Sequence, residues 1–136
     1  MRLYEIEKVI NGYNGYLLSE KDRNKLLKKF PPKYPDVILH HCTVKFPAYS
    51  NDQLPTGKTF AVVGYCNAEK GLECLIIEID GSVHRADGSI NHITLSIDKS
   101  KGIKPVHSNE AIKKFGYDPI TPIKIDMTPK FFGFDK

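Results

Sequence analysis

Two short runs share one pattern. His41-Cys42-Thr43-Val44 and His92-Ile93-Thr94-Leu95 both read His, any residue, Thr, apolar. Both fall in β-rich segments, where residues two apart point to the same face. Each run therefore sets an imidazole beside a hydroxyl on one strand face. In the first, Leu39, His41, Thr43 and Lys45 face one way, and Ile38, Cys42, Val44 and Phe46 face the other with His40 among them. In the second, His92, Thr94, Ser96 and Asp98 oppose Ile93, Leu95 and Ile97. Imidazole titrates near neutral pH, so two histidines facing one another can act as base and acid around a phosphodiester. Hydroxyls beside them can donate hydrogen bonds to the non-bridging oxygens, where charge accumulates in the transition state. Such chemistry calls for no metal ion and no cofactor. The candidate catalytic set is His41, Thr43, His92 and Thr94.

Further residues could bind the substrate. Lys45 shares the His41 face and either meets a phosphate or marks a strand end. Lys104-Pro105-Val106-His107-Ser108-Asn109 offers a cation, an imidazole and a hydroxyl before a helix start, a place that favours anions. Lys104 and Ser108 are the candidates there, against a plain loop with a Ser cap. Tyr16 is a stacking candidate, with Tyr13, Phe46, Tyr49 and Phe131 behind it, although aromatic residues in a strand-rich domain mostly fill the core. His40 is expected on the core side, and His84 at the surface in a loop with Arg85.

The elements that must position these residues are legible in outline. Leu3–Ile10 reads as a strand, followed by two Asn-Gly-type turn signals between Asn11 and Gly15. Ser19 with Asp22 resembles a capping box, Leu26, Leu27 and Phe30 share a helix side, and Pro31-Pro32 stops the helix. Strands are expected over 37–46, 60–66, 72–79 and 90–97, with a turn at 67–71. A short helix containing Ala111, Ile112 and Phe115 ends at Gly116. The tail, ending in Phe131-Phe132-Gly133-Phe134, reads as one or two strands. The class is α+β.

The chain has 136 residues, a formal charge of +4, and 40% hydrophobic against 26% charged residues. These values fit one globular domain over 1–136 and disfavour disorder or two domains. No stretch reaches the ~18 apolar residues of a membrane span. The start, MRLYEIEKVI, lacks a secretory h-region, so a cytoplasmic setting is expected. Cys42, Cys66 and Cys74 show no CxxC spacing, which disfavours a disulfide framework or zinc knuckle and suits buried, reduced thiols. The mild charge permits a short anionic ligand better than a long nucleic acid. A monomer is expected.

The duplicated motif resembles the two-histidine (2H) phosphoesterase superfamily. That superfamily includes LigT-like RNA cyclic phosphodiesterases, the cyclic phosphodiesterase domain of fungal tRNA ligases, and phage anti-CBASS enzymes that open cyclic oligonucleotides. The resemblance implies a compact bilobal fold: two pseudo-symmetric antiparallel sheet lobes, helices outside, and a central cleft. It implies that His41 and His92 are the acid and base and that Thr43 and Thr94 grip the phosphate. In relatives that open 2′,3′-cyclic phosphates the second-motif histidine activates water, which gives that role to His92 and leaving-group protonation to His41. The implied partner is a nucleotide, a cyclic oligonucleotide or an RNA end, with RNA processing and anti-defence roles both open. The step from His41 to His92, 51 residues, is shorter than usual in the superfamily, so an element between the lobes is reduced. A nucleotide- or RNA-binding protein that keeps the cleft without turnover is the alternative.

Overall fold

Ser19 starts the first helix. Its backbone is extended, its hydroxyl accepts the Asp22 N–H, and α1 runs from Glu20 to Lys29. Acidic Glu20 and Asp22 occupy the first turn and Lys28 and Lys29 the last, as the helix dipole favours. Leu26 is fully buried, and burying such a side chain contributes about 1.5–3 kcal/mol. The chain is described here from a computed structural model covering residues 11–67, 71–104 and 107–133. The strand expected over Leu3–Ile10, part of the turn at 67–71, Pro105-Val106 and Phe134 lie outside the described residues.

Among the described residues, eight strands form one antiparallel sheet: β1 (Asn11–Leu18), β2 (Asp36–Val37), β3 (His41–Tyr49), β4 (Phe60–Asn67), β5 (Leu72–Ile79), β6 (His92–Ile97), β7 (Asp118–Ile125) and β8 (Met127–Gly133). A second helix, α2, spans Ser108–Phe115. The spatial order is β7-β4-β5-β6-β3-β1-β8, with β2 paired to β6. This is a mixed α+β chain.

The two edge strands, β7 and β8, are separated in sequence by Asp126 alone. The sheet must therefore curl until its edges nearly meet. Asp126 is clasped by the start of α1: its carbonyl accepts the Ser19 N–H at 3.1 Å, and its N–H donates to the Asp22 carboxylate at 2.6 Å. Across the curl, the rings of Tyr16 and Phe60 meet edge-on at 4.8 Å.

Each face of the sheet carries a core. One cluster joins Leu26 to Leu39, Cys42, Val62, Leu75, Ile77, Ile93 and Leu95. The other lies under α2, where Ala111 and Ile112 pack with Cys66, Cys74, Ile76 and Ile97. The three cysteines are buried and free.

Three local expectations need correction. Residues Asn11–Gly15 belong to β1 and make no hairpin turn. Register shifts at Asn14 absorb the irregularity, and Gly15 lets β1 approach so closely that a Cβ there would stand 2.1 Å from the Cys42 carbonyl oxygen. The expected strand over 37–46 is broken at Ile38–His40. Leu39 takes a left-handed φ of 40°, with its N–H on the Thr94 carbonyl at 2.8 Å and its own carbonyl accepting from Arg23 Nε at 3.1 Å. That twist pulls Leu39 into the core and turns His40 out to solvent. Ser96, finally, leaves the face of His92 and Thr94. The β5–β6 register steps from Cys74↔Thr94 to Glu73↔Ser96, so Leu95 is the extra residue of a bulge, and the Ser96 hydroxyl bonds the buried Glu73 carboxylate.

Candidate active site

Strands β3 and β6 meet through one residue pair, Cys42↔Ile93. Both of these side chains enter the core, so their neighbours on each strand point to the opposite face. The antiparallel register sets His41 across from Thr94 and Thr43 across from His92. All four side chains line a single cleft of about 420 Å³, with Tyr13, Ile38, Phe46, Arg85, Asp87 and Asn109 completing its wall. The sequence set the pairs on two strand faces; the β3–β6 pairing sets them in one cleft.

His92 is 7% exposed. Its Nδ1 lies 3.0 Å from the Ile90 carbonyl, which can only accept, so Nδ1 carries the proton and Nε2 holds the lone pair. Burial drives its pKa down to about 4, the Ile90 bond opposes the shift, and the Arg85 charge adds to it. His41 is also held at about 4, by burial first and then by His40 and His92. Its Nδ1 lies 2.9 Å from Nδ1 of His40. Both imidazoles are therefore neutral at pH 7. The desolvation of His41 comes from aromatic neighbours: its ring centroid is 5.2 Å from Tyr13 and 4.8 Å from Phe132. Tyr13 and Phe132 are register partners across β1 and β8 and stack at 5.0 Å.

The substrate-binding candidates fare differently. Ser108 is fully buried and its hydroxyl lies 2.8 Å from that of Thr94, so it stands behind the motif. The N-cap position of α2 belongs to His107, which makes no side-chain cap bond. Lys45 points to solvent and pairs with Asp52 at 3.3 Å, away from the cleft lining. Lys104 is exposed, its N–H donates to His107 Nδ1 at 3.0 Å, and it does not line the cleft. Tyr16 is buried in the core with its hydroxyl accepting the Gly57 N–H at 2.7 Å, so the tyrosine at the cleft is Tyr13.

Arg85, read from sequence only as a loop residue, supplies the cation that these lysines do not. It stands in the excursion between β5 and β6, which doubles back through the bridges Ile79↔Ser82 and His84↔Ile90. The Arg85 N–H donates to the Ser89 carbonyl at 2.7 Å, and the Arg85 carbonyl accepts the Gly88 N–H at 3.0 Å. The available signal was the Asp87-Gly88 turn, which folds the segment back just before the second motif. A second hollow of about 740 Å³, reaching Lys113 and Tyr117, shares Asp87 and Asn109 with the cleft.

Among the described residues, no three His, Cys, Asp or Glu side chains cluster as a metal site would require, and no helix is long and apolar enough to cross a membrane. No protein-family model, curated protein or solved structure matches the chain.

Proposed function

We propose that this protein is a metal-independent phosphodiesterase of the two-histidine type. Its substrate would be a small cyclic or linear oligonucleotide, or an RNA 2′,3′-cyclic phosphate. The observation that carries the proposal is the meeting of His41, Thr43, His92 and Thr94 in one cleft, each histidine opposite the other motif's threonine. On this reading the strands on either side of the Cys42–Ile93 junction are the two lobes, and the motifs are related by an approximate two-fold axis between them.

The reaction follows from the tautomers and hydroxyls. Nε2 of His92 takes a proton from water as its oxygen attacks phosphorus. The bond from phosphorus to the leaving oxygen breaks, and protonated His41 gives its proton to that oxygen. Thr43 and Thr94 donate to the non-bridging oxygens. An arriving phosphate anion favours the imidazolium form, which raises the His41 pKa toward the working range when substrate binds. The second hollow gives the substrate room beyond the scissile phosphate.

The test is a substrate panel with product analysis: 2′,3′-cyclic nucleotides, RNA with cyclic phosphate ends, 2′,5′-oligoadenylates, and cyclic di- and trinucleotides, each with and without EDTA. Turnover of at least one, insensitive to EDTA, is expected. Tight binding without product from any of them would replace the enzyme with a nucleotide-binding protein.

A further inference from the structure

We infer that Arg85 is the anion anchor of the cleft, holding a non-bridging oxygen of a singly charged phosphodiester through its guanidinium. The inference rests on the phosphodiesterase reading of the same site and adds to it the residue that recognises the substrate's charge.

Three observations carry it. Among the described residues, Arg85 is the one Lys or Arg lining the cleft, which it shares with His41, Thr43, His92 and Thr94. Its Nε is buried and, among the described residues, has no hydrogen-bond partner. A buried donor left in that state is costly and rare in folded proteins, and a shift of the Arg85 side chain that brings Nε to a ligand oxygen would relieve it. The carboxylate that shares the cleft wall is occupied elsewhere: Asp87 accepts the Ser89 N–H at 2.9 Å and the Ser89 hydroxyl at 2.6 Å, and makes no ion pair with Arg85.

The surrounding charges set which anion fits. Both imidazoles are neutral in the free protein, so among the described residues the cleft wall carries one cation, Arg85, and one anion, Asp87. Hydrogen bonds from Ser89, and the nearby Arg85 charge, hold the Asp87 pKa below the usual carboxylate range, so it stays ionised. A phosphodiester brings a single negative charge to Arg85. A phosphomonoester brings nearly two and meets the Asp87 carboxylate at the same mouth. The cleft thus favours the diester substrate over the monoester product. The planar guanidinium also fixes the phosphoryl group between the two threonines, which an ammonium would do less well.

The test uses two probes on the His92→Ala protein, which leaves the diester uncleaved: a dinucleoside monophosphate and its uncharged methylphosphonate counterpart. Replacing Arg85 with Gln is expected to weaken the anionic probe on the order of tenfold to a hundredfold. The uncharged probe should bind both proteins alike, and Arg85→Lys should recover part of the loss. Melting temperatures identify any variant that fails to fold, and Arg85→Lys then serves alone. In the protein with His92 intact, removing the charge should also raise the His92 titration midpoint seen by NMR. Equal losses for charged and uncharged probes, or no loss for either, would overturn the assignment of Arg85. Retained turnover in His92→Ala would instead overturn the acid–base reading, while the ratio between the two probes still decides Arg85.

Discussion

The hydroxyls of Thr94 and Ser108 lie 2.8 Å apart, with Ser108 fully buried in the first turn of α2. This contact ties the second motif to the helix packed over its strand. Ser108→Ala removes the contact without touching the cleft lining. The expected result is a fold less stable by about 1 kcal/mol and kcat/KM lower by about tenfold, measured by urea unfolding and steady-state kinetics. Unchanged kinetics would show that Thr94 needs no support from α2.

The pH profile follows from the buried imidazoles. Both His41 and His92 sit at about 4 in the free protein, chiefly because burial disfavours the charged form. Raising the pH above that value strips the proton that His41 must give, and lowering it protonates the base His92. The quantity kcat/KM reports the free protein, so its optimum is expected on the acid side of about 6.5 and should decline through neutrality. Bound phosphate favours imidazolium, so the alkaline limb of kcat should lie at higher pH than that of kcat/KM. The two apparent values belong to the histidine pair as a unit. An optimum of kcat/KM on the alkaline side of neutrality would contradict the assignment.

Closure of the sheet depends on one buried carboxylate. Asp22 accepts the Asp126 N–H at 2.6 Å and the Ser19 hydroxyl at 3.0 Å, joining the α1 cap to the point where the chain crosses between sheet edges. Asp22→Ala should cost about 2–3 kcal/mol in chemical unfolding, because charge-assisted bonds are lost and a buried N–H is orphaned. Asp22→Asn keeps an acceptor oxygen and should cost less. Equal stability of all three proteins would show that the curl is held by apolar packing alone.

The motif residues were legible because a strand repeats every two residues, so His-x-Thr states by itself that both side chains share a face. The cap at Ser19 was equally local. What was hidden depends on partners distant in sequence. The bulge at Leu95 exists only in the β5–β6 register, and it sends Ser96 to Glu73 on the other face. Leu39 is turned by bonds to Thr94 and Arg23 that no periodicity records. Lys45 and Arg85 look alike as cations in a chain of this composition; their roles separate once Asp52 engages the first and the excursion before β6 carries the second into the cleft. Tyr13 and Tyr16 differ in the same way, since shifts in the β1 register decide which ring enters the core.

The central claim is that His41 and His92 together cleave a phosphodiester without a metal. The most direct test is kcat/KM, in EDTA, for the best substrate of the panel with the wild-type protein, His41→Ala and His92→Ala, alongside their melting temperatures. A loss of at least about a hundredfold in each variant, with cooperative melting retained, is the predicted result. Near-wild-type turnover by either folded variant would contradict it.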